Sequence, residues 1–217
     1  MATRLVLAEL ADAYQAAGGT PVAFESVGGV DAARRVRAGE AFDLVVLASD
    51  AIAALVASGH VLAATRCDLV RSDVAVAVRA GAPRPEIGSQ DALRSAVLAA
   101  KSVGYSTGPS GSALLRLFDA WGIADRVRTV QAPAGVPVGA LVARGDAEIG
   151  FQQRSELMHE AGVDIVGGMP PGCEIVTIFS AAQCSASSRS ADVAALLDYL
   201  RSPAADAAKQ RHGMAAA

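Results

Sequence analysis

Apolar residues recur along this chain in two alternating rhythms, one helical and one extended. Residues 3–17 carry Leu5, Leu10 and Tyr14 at helical spacing and stop at Gly18-Gly19. PVAFES (21–26) reads as a short strand, and SVGG (26–29) as a loop. A helix is predicted from Asp31 to Ala38, closed by Gly39. DLVVLA (43–48) is a near-continuous apolar run with β-branched residues, the signature of a buried parallel strand. Ser49 and Asp50 follow it, and the helix AIAALVAS runs to Gly59.

The alternation continues to the end of the chain. Strands are predicted at DVAVAVRAG (73–81), SVGYS (102–106), RVRTVQ (126–131), AEIGFQQ (147–153), DIVGGMP (164–170) and EIVTIFSAA (174–182). Helices are predicted over 91–100, over a segment that Gly122 ends, and at VPVGALVARG, SELMHEAG, SADVAALLDYLRS and PAADAAKQRHG. Strands alternating with helices imply mostly parallel sheets with helices on both faces. In such sheets ligands sit beyond the carboxyl ends of the strands. Four strand ends here carry glycines and small polar residues: SVGGVD, LASD, YSTGPSG and GFQQRSE.

YSTGPSG (105–111) sets three hydroxyls and two glycines around a proline, directly ahead of a helical pattern. The first turn of a helix has N–H groups without intrahelical partners, and the helix dipole adds positive potential there. Glycine lets the backbone approach a ligand closely. Together these make an anion site that needs no charged side chain. The competing reading is an ordinary cap, with Ser110 or Ser112 closing the helix.

Composition narrows the classes. The 217 residues are 52% hydrophobic and 19% charged, enough for one large folded domain or two small ones. Aromatic residues are 4%, so the core is built from Ala, Val, Leu and Ile. The net charge of -3, with no basic run, leaves no footprint for nucleic acid. The three cysteines, Cys67, Cys173 and Cys184, match neither a disulfide framework nor a zinc motif; a Cys173–Cys184 bridge is the pairing left open. No apolar run reaches a membrane span, so no direct membrane insertion is expected. No metal-ligand cluster or cofactor motif is present, and neither group is expected. Gly108-Pro109-Ser110-Gly111-Ser112 fails the G-x-S-x-G pattern at its last position, which argues against a serine hydrolase. MATRLVLAELADAYQ is no secretory signal, because Glu9 and Asp12 interrupt its apolar run.

The order SVGGVDAARRVRAGEAFDLVVLAS, VLAATRCDLVRSDVAVAVRAGAP, GPSGSALLRLFDAWGI and VPVGALVARGDAEIGFQQRSE, with the ending LLDYLRSPAADAAKQRHGM, resembles the molybdate-binding branch of the type 2 periplasmic solute-binding proteins. The resemblance spans nearly the whole chain and rests on order and spacing. It implies a two-lobe α/β fold with crossovers near LVRSDVAVAV and EIVTIFSAA. One lobe would be residues 1–72 plus 175–217 and the other 73–174, closing on a ligand in the cleft by hinge motion. The family's first strand and its serine-bearing loop have no counterpart here. The resemblance therefore makes Met1 an internal methionine or a truncation point, and places the protein in the periplasm. A genuine start at Met1 would make it cytoplasmic.

The resemblance also implies the site. Gly28, Gly29 and Val30 take the place of a serine-rich anion loop, Ser110 and Gly111 supply a backbone amide at a helix start, and Pro137 and Val138 open another helix. Ser106 and Thr107 add hydroxyls. Gln153 stands where molybdate binders usually carry a tyrosine; Gln152 and Gln153 both donate and accept, which suits a carboxylate or a partly protonated anion. The function implied is anion binding for an ABC transporter permease. The alternative on the same scaffold resembles aconitate isomerase, an allylic proton transfer that needs a base and carboxylate anchors. Glu25, Asp31, His60 and Glu156 are candidate bases, and Arg154 and Arg34 candidate anchors, with Glu25 and Arg154 put forward as catalytic. A third reading is the sensing domain of a transcriptional regulator, although no DNA-binding segment is present.

Overall fold

The computed structural model describes residues 2–217. Met1, on which the internal-start expectation rests, lies outside them. In chain order the elements are α1 (Arg4–Ala16), α2 (Gly29–Arg37), β1 (Leu44–Ala48), α3 (Ser49–Ala57), β2 (Cys67–Arg79), α4 (Gln90–Ala99), β3 (Val103–Tyr105), α5 (Pro109–Ala120), β4 (Thr129–Gln131), α6 (Val138–Arg144), β5 (Ile149–Gln153), α7 (Arg154–Leu157), β6 (Val163–Gly168), β7 (Val176–Gln183), α8 (Ser190–Arg201), α9 (Asp206–Arg211) and β8 (Met214–Ala216). The chain forms two compact units, Met1–Ser72 with Thr177–Ala217, and Asp73–Val176. It passes from one to the other within β2 and again at the start of β7.

In the first unit β1 lies antiparallel to β7, from Leu44 opposite Gln183 to Ala48 opposite Phe179. β7 neighbours β2, and β8 pairs antiparallel with β2. The apolar run of β1 serves two cores. Val45 and Leu47 pack with Ala33, Val36, Ile52 and Leu55 of α2 and α3. Val46 packs on the other cluster, where Val6, Leu10 and Tyr14 of α1 meet Leu196, Leu197 and Leu200 of α8. Gly18, at a φ of 89°, ends α1 in a left-handed turn that other residues adopt at a cost. The strand expected at 21–26 is absent: residues 19–28 have no regular secondary structure. Val22 and Phe24 pack against the α1–α8 core, so side chains anchor this segment without a backbone ladder.

In the second unit β2 continues between β5 and β6, antiparallel to both. β5 pairs with β3, and β3 with β4, both in parallel. Val74, Val76 and Val78 join Phe118, Phe151, Leu93, Val97 and Leu114 in the core. Phe118 and Phe151 meet edge to face, with centroids 6.3 Å apart. The expected mostly parallel sheets are therefore mixed. The alternation of helix and strand holds within β3–α5–β4–α6–β5 and gives parallel pairs there. The long strand β2 runs antiparallel to its neighbours β5, β6 and β8. The three thiols are free, so no Cys173–Cys184 bridge forms. Among the described residues no helix is long and apolar enough to cross a membrane, and no group of His, Cys, Asp and Glu is arranged to hold a metal ion.

Candidate anion site

Parallel pairing brings three strand ends of the second unit to one edge. Val103 and Gly104 of β3 lie opposite Ile149 and Gly150 of β5, and Tyr105 lies opposite Gln131 of β4. Helices α5, α6 and α7 all begin at that edge. Gly104 and Gly150 bring α6 down onto the sheet: a Cβ on Gly104 would lie 2.9 Å from Val138 Cγ1, and one on Gly150 2.5 Å from Val142 Cγ2. Both glycines are spacing devices, and both position Val138, which is fully buried.

α5 begins at Pro109 with Gly108 as its N-cap and no side-chain cap bond, so Ser110 and Ser112 do not serve as N-caps. Proline at the first helical position loses no hydrogen bond, since its missing N–H would have been an orphan there. Ser112 N donates to Gly108 O at 3.2 Å. The amides of Ser110 and Gly111 ahead of it are first-turn donors. Gly111 is pressed onto the preceding chain, where a Cβ would clash with the Ser106 carbonyl. That contact folds the 106–111 segment tightly, and the hydroxyls of Ser106 and Ser110 meet at 3.1 Å. Ser110 is buried, Ser106 half-buried and Thr107 exposed.

The α6 start is built differently. Pro137 is its N-cap. Ala140 N donates to Pro137 O at 3.1 Å, and Gly139 N donates to Gln152 Oε1 at 3.3 Å. The Val138 amide is left as the outermost donor of the turn. Gln152 and Gln153 end β5, both buried. Strand alternation puts Gln153 on the side of Phe151, toward α5, and Gln152 on the side of Gly150, toward α6. Ser155, in the short helix α7, is buried with a hydroxyl that has no hydrogen-bond partner. Burial pushes the Glu156 carboxyl above the usual glutamate range, against a smaller lowering by the Gln152 side chain. Arg154 is exposed at the first position of α7.

The remaining candidates belong to the first unit. Gly28 caps α2, while Gly29 and Val30 are exposed in its first turn, Val30 at 81%. A Cβ on Gly29 would lie 3.7 Å from Leu47 Cδ2, which sets this turn at the carboxyl end of β1. Glu25 is held by both oxygens on Arg35, and Arg35 also binds Glu40 and stacks on Phe42 at 4.8 Å. Arg35 hydrogen-bonds both oxygens of Glu25 and lowers its pKa, which engages this carboxylate and makes it a weaker base. Arg34 pairs with Asp31 at 3.5 Å on an exposed helix face. His60 Nδ1 meets Ser58 Oγ at 2.9 Å in the turn after α3.

The profile of the bacterial extracellular solute-binding protein family matches residues 1–215. The chain belongs to that family. Among its relatives is an aconitate isomerase from Pseudomonas sp, 41% identical over 209 residues, which covers 93% of this chain and 79% of the relative. Among solved structures, the periplasmic molybdate-binding protein of Azotobacter vinelandii superposes with a TM-score of 0.81 at 18% identity, covering 99% of this chain and 96% of that one. The tungstate ABC transporter protein of Geobacter sulfurreducens gives 0.70 at 14% identity, covering 95% and 92%. These structures establish the solute-binding α/β fold.

Parallel pairing brings the expected α5 turn, Val138 and the glutamine pair to one sheet edge. Gly139 and Ser155 were not among the residues expected there. Gly139 carries no motif of its own; its role follows from contacts 13 and 21 residues on, with Gln152 and Glu160. Ser155 sat inside a segment read as a plain helix, and that helix is only Arg154–Leu157.

Proposed function

We propose that this chain is the receptor of an ABC-type uptake system for a small anion, held by uncharged donors at the strand ends of the second unit. The observation that carries this reading is the convergence of the α5 and α6 starts at one sheet edge through the parallel β3–β4 and β3–β5 pairs. Its donors are the amides of Ser110, Gly111 and Val138 and the hydroxyls of Ser106 and Ser110. Backbone donors fixed before the ligand arrives lose little entropy on binding, and helix dipoles favour a negative guest. The solved relatives named for molybdate and tungstate support an oxyanion. Family membership supports an extracytoplasmic location and a permease partner.

A second reading is favoured by the relative at 41% identity. It is interconversion of cis- and trans-aconitate. A base removes a proton from the methylene carbon, the double bond shifts along the allylic system, and a proton returns at the former alkene carbon. One proton leaves and one arrives, so no oxidant is required. Glu156 suits a proton carrier, because burial raises its pKa. Arg154, at the end of β5, suits a carboxylate anchor.

Thermal shift with molybdate, tungstate, sulfate, citrate and both aconitates separates the readings. Ligand at about a hundred times its Kd stabilises by about 2.7 kcal/mol. Stabilisation by oxyanions alone supports transport. Stabilisation by tricarboxylates, with absorbance showing interconversion of the aconitates, supports the isomerase. No shift with any of them overturns both.

A further inference from the structure

Away from the anion site, the second unit carries a groove of about 370 Å³ between α5 and the segment 172–176. That volume lies in the range of small-molecule sites, about 300–1,000 Å³. The cavity beside Val6 and Lys209 in the first unit is about 10 Å³ by comparison, room for one water.

The groove has two walls. Ala113, Arg116 and Leu117, three and four residues apart, share one face of α5 and form the first. Glu174, Ile175 and Val176 belong to the second. Ala113 and Leu117 are half-buried, Ile175 is buried, and Val176 is 39% exposed. Apolar surface is thus open to solvent along both walls.

Two opposite charges border that surface. Arg116 is exposed, and among the described residues no hydrogen bond or ion pair engages its guanidinium. Glu174 is exposed as well; its Oε2 accepts from Gly172 N at 2.9 Å, and no cation of the described residues pairs with it. Elsewhere on the surface neighbouring charges do pair, Arg34 with Asp31, Arg144 with Asp146 and Arg189 with Asp192. Here the cation and the anion line one groove from different elements and do not meet. A bare anion in this groove would satisfy Arg116 and be repelled by Glu174, and a simple amine the reverse. The complement of one cation, one anion and apolar walls is a zwitterion with an apolar body.

We propose that this groove binds an aliphatic α-amino acid, with its carboxylate on the Arg116 guanidinium, its ammonium on the Glu174 carboxylate and its side chain on Leu117 and Val176. The guanidinium fork matches a carboxylate in two parallel hydrogen bonds. The site is separate from the anion site and stands or falls independently of it.

Amide resonances of the full chain, titrated with leucine, test the proposal. Saturable shifts are expected at Ala113, Arg116 and Leu117 and at residues 174–176. Two leucine analogues isolate the charges: 4-methylpentanoate lacks the ammonium and 3-methylbutylamine lacks the carboxylate. Each binds the wild type about tenfold more weakly than leucine, the weight of a hydrogen bond to a charged group. Arg116→Gln weakens leucine about tenfold and leaves 3-methylbutylamine unchanged; Glu174→Gln weakens leucine about tenfold and does not weaken 4-methylpentanoate. Both side chains are exposed, and unchanged thermal melts of the two variants confirm that the fold is kept. Shifts that fail to saturate, shifts confined to Ser110, Gly111 and Val138, or equal leucine affinity in wild type and Arg116→Gln overturn the proposal.

Discussion

The carbonyl oxygen of Ser106 occupies the place where a side chain on Gly111 would begin, 1.8 Å from an ideal Cβ there. The loop after β3 and the first turn of α5 are therefore in direct contact, and that contact sets the two serine hydroxyls together. Gly111→Ala forces backbone apart and lowers stability by about 3 kcal/mol, the upper range for overpacking. Gly108→Ala is the control, since a Cβ there meets only Ser106 Oγ at 3.8 Å, an ordinary contact. Urea denaturation of both variants measures the difference.

Ser106 and Ser110 act as a pair through their 3.1 Å contact. Ser106→Ala and Ser110→Ala each weaken anion binding by about 1 kcal/mol. The double variant loses less than the sum, because each single change already breaks the shared bond. Calorimetry on the four proteins measures the coupling, and strict additivity contradicts it.

Glu156 sets a pH dependence whose sign follows from its burial. Its folded pKa is raised by desolvation above the ordinary value of 4.5. Below 4.5 both folded and unfolded states hold the proton, and the group costs nothing. As pH rises, the unfolded state ionises first and stability falls until the folded pKa is passed. Glu156→Gln removes this loss. The variant matches the wild type near pH 4 and exceeds it near pH 8, as urea midpoints across that range would show.

Two buried serines make opposite predictions. Ser155 has a hydroxyl without a partner, whereas Ser180 Oγ donates to Asp68 Oδ1 at 2.5 Å. Ser155→Ala relieves a desolvated polar group and raises stability by about 1 kcal/mol. Ser180→Ala breaks a bond to a charged acceptor and lowers it by about 2 kcal/mol. Thermal melts of the two variants should move in opposite directions.

Much of the fold was legible because local rules agreed. The LVVLA run announced a buried parallel strand; β1 does serve two cores, but it pairs antiparallel with β7, a partner more than a hundred residues away in the chain. Gly18 and Gly122 marked helix ends because their backbones are left-handed, at φ of 89° and 64°. PVAFES misled because a strand is defined by its ladder, and residues with strand propensity can lie extended without one. Strand direction was misjudged because alternation reports on local connections, while β2 meets neighbours from distant parts of the chain. The tight turn that opens α5 was readable from its own seven residues. The Gly139–Gln152 contact was not, since glycine and glutamine carry no pattern until the sheet brings them together. Glu25 stood in sequence as a candidate base or a strand-end cap; Arg35, ten residues on, takes both its oxygens.

The most direct test of the central claim is to follow backbone amide resonances while titrating the full chain with molybdate and, separately, trans-aconitate. With the anion at the α5 and α6 starts, the largest saturable shifts fall on Ser110, Gly111 and Val138, and Gly139 moves less because Gln152 already holds it. Saturable binding that leaves these three amides unmoved would contradict the placement of the anion at the α5 and α6 starts.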